Sequence, residues 1–374
     1  LYADNPAIPE PAFYGMITNI DENFGRLREK LDELDIADNT ILIFMTDNGR
    51  SGGCELDESG FVTTGYNGGM RGKKASYYDG GHRAPFFVRW PDGGLDGARD
   101  VEDMTLHIDV LPTLIDLCGL DAPDGVAFDG ESFAPLLRGE REQMPGDRVH
   151  FLQYRQDTTP PEKWSNAVMT RRWRLIHGRE LYDIIADPGQ RHDLADVHPD
   201  VVGRLRQAHE TWWTEIGPAL ESYAPISLGN GAENPVKLIA MVVMGDVGWL
   251  LTHIIQAQRS TGAWTVDVER PGTYRFSLPR WPAELDRPID AGISPDAARR
   301  HIYAEPDGEC NAITPDRAFL RIFDHEVSTP VAAGDLEATF ELTLAETGVT
   351  VLEAWFIEDG GAPQGAYYVY AERR

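Results

Sequence analysis

The chain has 374 residues, with 61 Asp and Glu against 34 Lys and Arg and a formal net charge of −27. So acidic a chain lacks the basic face that a general nucleic-acid binder needs. Its three cysteines, Cys54, Cys118 and Cys310, are too few and too scattered for a disulfide framework or a zinc site. The 42% hydrophobic content supports ordinary globular cores, and the length allows two or three domains.

Residues 1–12 are rich in Pro and Ala and read as an extended lead-in. Phe13, Ile17, Ile20, Phe24, Leu27, Leu31 and Leu34 then recur at alternating spacings of four and three. That spacing predicts an amphipathic helix laid against a sheet. Asp38-Asn39 turns the chain into residues 41–45, Ile-Leu-Ile-Phe-Met. This unbroken apolar run predicts a strand buried on both faces of a parallel or mixed α/β sheet. Asp47, Asn48 and Gly49 follow at its carboxyl end, where open α/β sheets bind ligands. A carboxylate and an amide oxygen are hard donors of the kind calcium or magnesium prefers. The same three residues also make an ordinary turn, and in isolation that reading competes.

Residues 50–69 are rich in Gly, Ser and Thr and read as a long loop. Arg71, Lys73, Lys74, His82 and Arg83 are then packed between glycines. Only five lysines occur in the chain, and two are adjacent here. A basic knot in so acidic a protein suggests a local anion site, against a solvated loop as the plainer reading. Phe86 to Trp90 resumes a strand. Met104, Ile108, Leu111, Ile115 and Cys118 keep helical spacing up to Gly119, with Asp109 expected to cap that helix and His107 to pack or face solvent.

After a loop-rich stretch at 121–147, short strands are predicted at 149–154, 167–171, 173–177 and 181–183, with a helix over about 199–216. Trp212 and Trp213 on that helix read as packing residues. The run at 238–256, interrupted by Asp246 and His253, reads as two core elements and falls short of a membrane span. From Ser222 onward the pattern has period two. Trp264, Val266 and Val268 alternate with polar residues, as do Tyr274, Phe276, Leu278 and Phe340, Leu342, Leu344. With residues 349–357 and 366–371 these predict a β-sandwich. Trp264, Trp281 and Trp355 are either its core or glycan-stacking residues, and alternation puts Trp264 on the apolar side.

Several of these stretches, in this order, resemble one family. Thr46-Asp-Asn-Gly49, then Arg71-Gly-x-Lys74-x-x-x-Tyr78-Asp-Gly-Gly-x-Arg83-x-Pro85, then Trp90-Pro91 is similar to the sulfatases of the alkaline-phosphatase-like fold. Residues 13–23, 107–119 and 180–189 extend the match, which covers about residues 10–216. The resemblance implies an α/β fold: the C-terminal part of a sulfatase core over 1–143, a small antiparallel sheet plus helix over 144–221, and an accessory β-sandwich over 222–374. It implies Asp47 and Asn48 as calcium ligands and Lys74 as the catalytic lysine that contacts the sulfate ester and its leaving oxygen. His82 and Arg83 would border the substrate, and Lys73 would contribute only field.

The family's nucleophile is a formylglycine made in a Cys-x-(Pro/Ala)-x-Arg motif, and none of the three cysteines has that context. The chain therefore reads as a portion lacking the formylglycine half, inactive alone. The implied substrate is a sulfate ester, such as a sulfated glycan, with no nucleic acid and no membrane span. The family implies a periplasmic or secreted location. Two alternatives stay open: a phosphonate or phosphate ester hydrolase of the same superfamily, and a non-catalytic glycan-binding or structural protein. The two-zinc relatives place a histidine beside the strand-end aspartate; Asn48 there favours calcium.

Overall fold

A computed structural model describes residues 1–154, 161–220, 223–245, 248, 251–259, 261–294, 311–358 and 361–374. Cys310 and the composition change at Ser222 lie outside the described residues. Helices and mixed sheets make the chain α/β, in two compact units, Leu1–Pro218 and Ala219–Arg374.

The first unit opens with α1 (Pro11–Glu33), whose leading proline suits a first helical turn. Next come β1 (Leu42–Met45), a hairpin of β2 (Cys54–Leu56) and β3 (Val62–Gly65), the single turn α2 (Asp79–His82) and β4 (Phe86–Arg89). β1 and β4 pair antiparallel, from Leu42 opposite Arg89 to Met45 opposite Phe86. One face of this pair packs Ile41, Val88 and Trp90 against Leu95, Leu117 and Ala134. On α1, Phe24 meets Phe44 edge-on at 5.2 Å.

The expectation of a fully buried strand in a parallel or mixed sheet is corrected here. β1 is half-buried, Met45 is exposed, and Phe87 on β4 is 65% exposed. The physical reason is that each strand has one strand neighbour among the described residues, so the apolar run is covered unevenly. α1 likewise has no fully buried residue, and Met16, Ile17, Ile20 and Leu27 are each about half exposed.

α3 (Val110–Cys118) ends at Gly119 in the left-handed region, φ 62°, as its sequence predicts. α4 (Ala134–Leu137) follows. Asp109 does not cap α3 through its side chain. It is wholly buried, accepts the Leu106 and Glu131 N–H groups, and takes both guanidinium nitrogens of Arg148 at 2.5 and 3.1 Å. A carboxylate with four donors is a structural hub, because only such pairing offsets its desolvation.

β5 (His150–Gln153), β6 (Asn166–Met169), β7 (Trp173–Ile176) and β8 (Glu180–Asp183) form an antiparallel sheet in that order. α5 (Pro199–Leu220) buries Val202 and Leu205 against Val168, Trp173, Leu175 and Leu181. Trp212 stacks on Phe151 at 4.6 Å, a packing contact.

The second unit runs through β9 (Ile226–Leu228), β10 (Val236–Ile239), β11 (Met244–Gly245), α6 (Leu251–Ile255), β12 (Gly262–Val268) and β13 (Gly272–Leu278). It continues with β14 (Arg317–Ile322), β15 (His325–Pro330), β16 (Ala338–Leu344), β17 (Gly348–Ile357), β18 (Gln364–Gly365) and β19 (Tyr368–Arg373). One sheet has the order β10-β19-β13-β16. The other has β11-β12-β17-β14-β15, with β9 beside β12 and β18 beside β17. Alternate residues of both sheets share one core, including Trp264, Val266, Phe276, Leu320, Phe340, Leu352 and Val369. Trp264 and Trp281 are each 1% exposed, which removes both as glycan-stacking residues. Trp355 is half-buried and stacks on Phe319 at 5.3 Å.

No described helix is long and apolar enough to cross a membrane.

Candidate functional site

β1 delivers the chain to Thr46, whose hydroxyl donates to the Asn48 carbonyl at 3.0 Å and tightens the turn. The next two backbone contacts tie this turn to the basic loop. Gly49 N–H donates to Gly81 O at 2.9 Å, and Lys74 N–H donates to Arg50 O at 2.9 Å. The approach requires glycine: a Cβ on Gly49 would overlap the Gly80 carbonyl oxygen. Gly80 and Gly81 are themselves packed against the carbonyls of Arg71, Gly72 and Ser76. Asp47, Asn48 and Lys74 thus sit on adjoining loops clasped backbone to backbone.

The side chains of that clasp divide into two groups. Asp47, Lys73, Lys74 and Arg83 are exposed, and among the described residues none of them forms an ion pair. Ala75, just after Lys74, has φ 71°, a left-handed conformation that costs an L side chain about 1 kcal/mol. Strain of this kind persists where the surroundings over-determine the backbone, here the Lys74 and Ser76 N–H bonds to Arg50 O and Lys73 O.

Arg71 belongs to the second group and is occupied structurally. Its guanidinium lies 3.8 Å over Tyr78 and 4.9 Å over Phe61, and donates to Tyr182 Oη at 2.8 Å. Both phenols donate to Glu180 Oε2, at 2.8 and 2.7 Å. Burial, with the bond to that carboxylate, pushes the Tyr78 phenol up to about 12 and Tyr182 up as well. Asp79 is fully buried against Arg174 Nε at 2.9 Å, and its N–H donates to Gln190 Oε1 at 2.8 Å. His82 turns Nε2 toward Tyr77 O at 3.3 Å and toward Asp79 Oδ1 at 3.8 Å. Burial first, and Arg174 second among the lowering influences, hold its imidazole below the usual histidine range, against the pull of Asp79.

The sequence pattern singled out the basic residues of the loop but gave no role to Tyr78, Asp79, Arg174, Glu180 or Gln190, although the resemblance runs through Tyr78, Asp79 and Glu180. Tyr78 and Asp79 stand in view beside the glycines; Arg174 lies within the predicted strand at 173–177 with no local mark of its partner.

Among the described residues no group of three or more His, Cys, Asp or Glu side chains could hold a metal ion. Asp47 and Asn48 offer two oxygen donors of the hard kind, out of the six to eight that calcium takes, and among the described residues Asp47 forms no ion pair.

The sulfatase family model matches residues 11–120, and the model described as N-sulphoglucosamine sulphohydrolase, C-terminal, matches residues 71–210. A steryl-sulfatase of Mus musculus is 26% identical over 57% of this chain and 39% of its own. An N-acetylgalactosamine-6-O-sulfatase of Bacteroides thetaiotaomicron is 27% identical over 55% of this chain and 44% of its own. An arylsulfatase of Clostridium perfringens is 30% identical over 58% and 44%. The chain spans about two-fifths of the length of the curated relatives it matches. The two family matches overlap across the lysine loop and together span residues 11–210, and they identify that part of the chain as sulfatase-like.

Proposed function

We propose that this chain carries one half of a sulfuric-ester hydrolase site. The observation that supports it is the backbone clasp that brings the Asp47-Asn48 turn against the loop bearing Lys74, which forms no ion pair among the described residues. Asp47 and Asn48 would hold calcium, which supplies positive charge for the sulfate oxygens when bound. The Lys74 ammonium, with no carboxylate partner among the described residues, stabilises charge developing on the leaving oxygen. Lys73 adds field, and His82 and Arg83 border the ester. The formylglycine nucleophile is assigned to a segment outside these 374 residues, since no cysteine here has the required context. The exposed apolar faces of α1, β1 and β4 support the same reading, as a surface completed by further strands of an alkaline-phosphatase-like core. The second unit is read as an accessory β-sandwich, from its two sheets and shared core.

The test is hydrolysis of an aryl sulfate and an aryl phosphonate, with calcium added or chelated. The purified chain should turn over neither. Supplied with a partner segment containing Cys-x-(Pro/Ala)-x-Arg, it should hydrolyse the sulfate in a calcium-dependent way. Preferential phosphonate cleavage, or calcium-dependent turnover by the chain alone, would overturn this division of the site.

A further inference from the structure

Beneath the lysine loop lies a buried charge network that the proposed chemistry does not use. Asp79 opens α2 and is wholly buried. Its Oδ1 accepts from Arg174 Nε at 2.9 Å, while its Oδ2, also buried, has no hydrogen-bond partner among the described residues. Arg174 reaches in from β7, 95 positions later in the chain, and its Nη1 is held by Thr170 O at 2.5 Å and Trp173 O at 3.2 Å. His82, on the same turn as Asp79, faces that carboxylate and the Tyr77 carbonyl with one nitrogen, Nε2.

A carbonyl oxygen and an ionised carboxylate are acceptors only, so the nitrogen facing both must carry the proton. Nδ1 is then the acceptor of the neutral ring. We infer that the Tyr77 carbonyl, by its hydrogen bond, and the Asp79–Arg174 pair, by its field from 3.8 Å, position His82 as its Nε2–H tautomer and so fix which ring nitrogen the site can use. Asp79 alone, buried beside an imidazole, would favour the imidazolium; the guanidinium on its other side opposes that. The groups that face the ring are Asp79 from α2, the Tyr77 carbonyl from the preceding loop and Arg174 from β7; Arg174 in turn feels Arg83, and His150 feels Arg174. The buried pair also spans two parts of the unit. It seats α2, and with it the end of the lysine loop, on the β5–β8 sheet.

The role at the site rests on the sulfate-ester reading, but the tautomer does not. Long-range proton–nitrogen NMR of the histidine-labelled full chain reads it directly, whether or not any ester is turned over. His82 is expected neutral at pH 7 with its proton on Nε2, titrating below the usual histidine value of about 6.5. Asp79→Asn should lower the midpoint further. Arg174→Gln should raise it, and Arg174→Lys should restore it toward the parent. A merely structural role would loosen the turn, let water reach the ring and raise the midpoint in both Asp79→Asn and Arg174→Gln. An Nδ1–H tautomer in the unmutated chain, or a higher midpoint in Asp79→Asn, would overturn the inference. Should the variants fail to fold, an Nδ1–H tautomer in the unmutated chain still overturns the inference. Absence of sulfate-ester turnover in the completed enzyme would sink the functional reading and leave these spectra as they are.

Discussion

Gly49→Ala is the sharpest perturbation of the clasp between the two loops. Gly49 does not occupy the left-handed region, so backbone strain is not the issue. The added Cβ would stand 2.8 Å from the Gly80 carbonyl carbon and 2.9 Å from that of Gly81, and would overlap the Gly80 oxygen. Those neighbours are backbone atoms, themselves wedged against the Arg71 and Gly72 carbonyls, so they cannot swing aside as a side-chain tip would. Overpacking of this kind costs about 1–3 kcal/mol. Parting the loops also forfeits the Gly49 N–H···Gly81 O bond, about 1 kcal/mol more. The sum is about 2–4 kcal/mol. At about 2–4 °C per kcal/mol for a unit of this size, the midpoint of thermal unfolding should fall by about 4–16 °C. Calorimetry measures this, and peptide-resolved hydrogen exchange assigns it to the first unit. Gly15→Ala and Gly25→Ala are the controls: both lie in α1 with nothing within 4 Å of a new Cβ. Each should stabilise by about 0.5–1 kcal/mol. A Gly49→Ala protein as stable as its parent would refute the argument that the two loops are locked together by backbone contact.

Other expectations follow from the same geometry. In the completed enzyme, Lys74→Ala should lower turnover by about 10²-fold or more, and Lys73→Ala far less; equal losses would mean that the roles are misassigned. His150 carries a buried Nε2 with no hydrogen-bond partner among the described residues, and burial, with Arg148, depresses its imidazole to about 4. Because the unfolded chain then takes up a proton that the folded chain refuses, stability should be lost as pH falls from about 6.5 toward 4. The full shift would be worth about 3 kcal/mol and, for a half-exposed ring screened by solvent, about 1–2 kcal/mol. Urea unfolding of His150→Gln should lack that part of the pH dependence, and an unchanged slope would count against it. Trp264→Ala should destabilise the second unit by about 3–5 kcal/mol, as loss of a core indole does. Trp355→Ala, at a half-buried outer position, should cost much less, which denaturant titration would read.

Much of this organisation was legible in the sequence. The apolar spacing of residues 13–34 marked α1, and the four short strands before α5 stood out by their length and turn residues. Gly119 stopped α3 where its left-handed φ required it. In the second unit, the alternation around Trp264, Tyr274 and Phe340 already separated core from surface. What was not legible is what depends on neighbours. The apolar run at 41–45 looks the same whether one strand or two lie beside it, so its partial exposure could not be read from its residues. Asp79 and Arg174, 95 positions apart, carry no local mark of pairing, because a buried ion pair is a tertiary event. Asp109 was read as a cap for the related reason that its arginine lies 39 positions away. The hairpin of β2 and β3 was hidden inside a Gly- and Ser-rich stretch whose composition says loop.

The central claim is that Asp47, Asn48 and Lys74 form one site that takes a cation and a sulfate ester together. Calorimetric titration of the full chain with sulfate, with and without calcium, tests it most directly, because two ligands at one site must change each other's affinity by the same factor. Calcium should bind weakly, at roughly millimolar levels for so few protein donors. Calcium should raise sulfate affinity by about 5-fold or more, the lower end of ordinary coupling between sites. Asp47→Ala should remove that enhancement, and Lys74→Ala should weaken sulfate binding whether or not calcium is present. Sulfate binding that ignores calcium, or an enhancement that survives Asp47→Ala, would contradict the account.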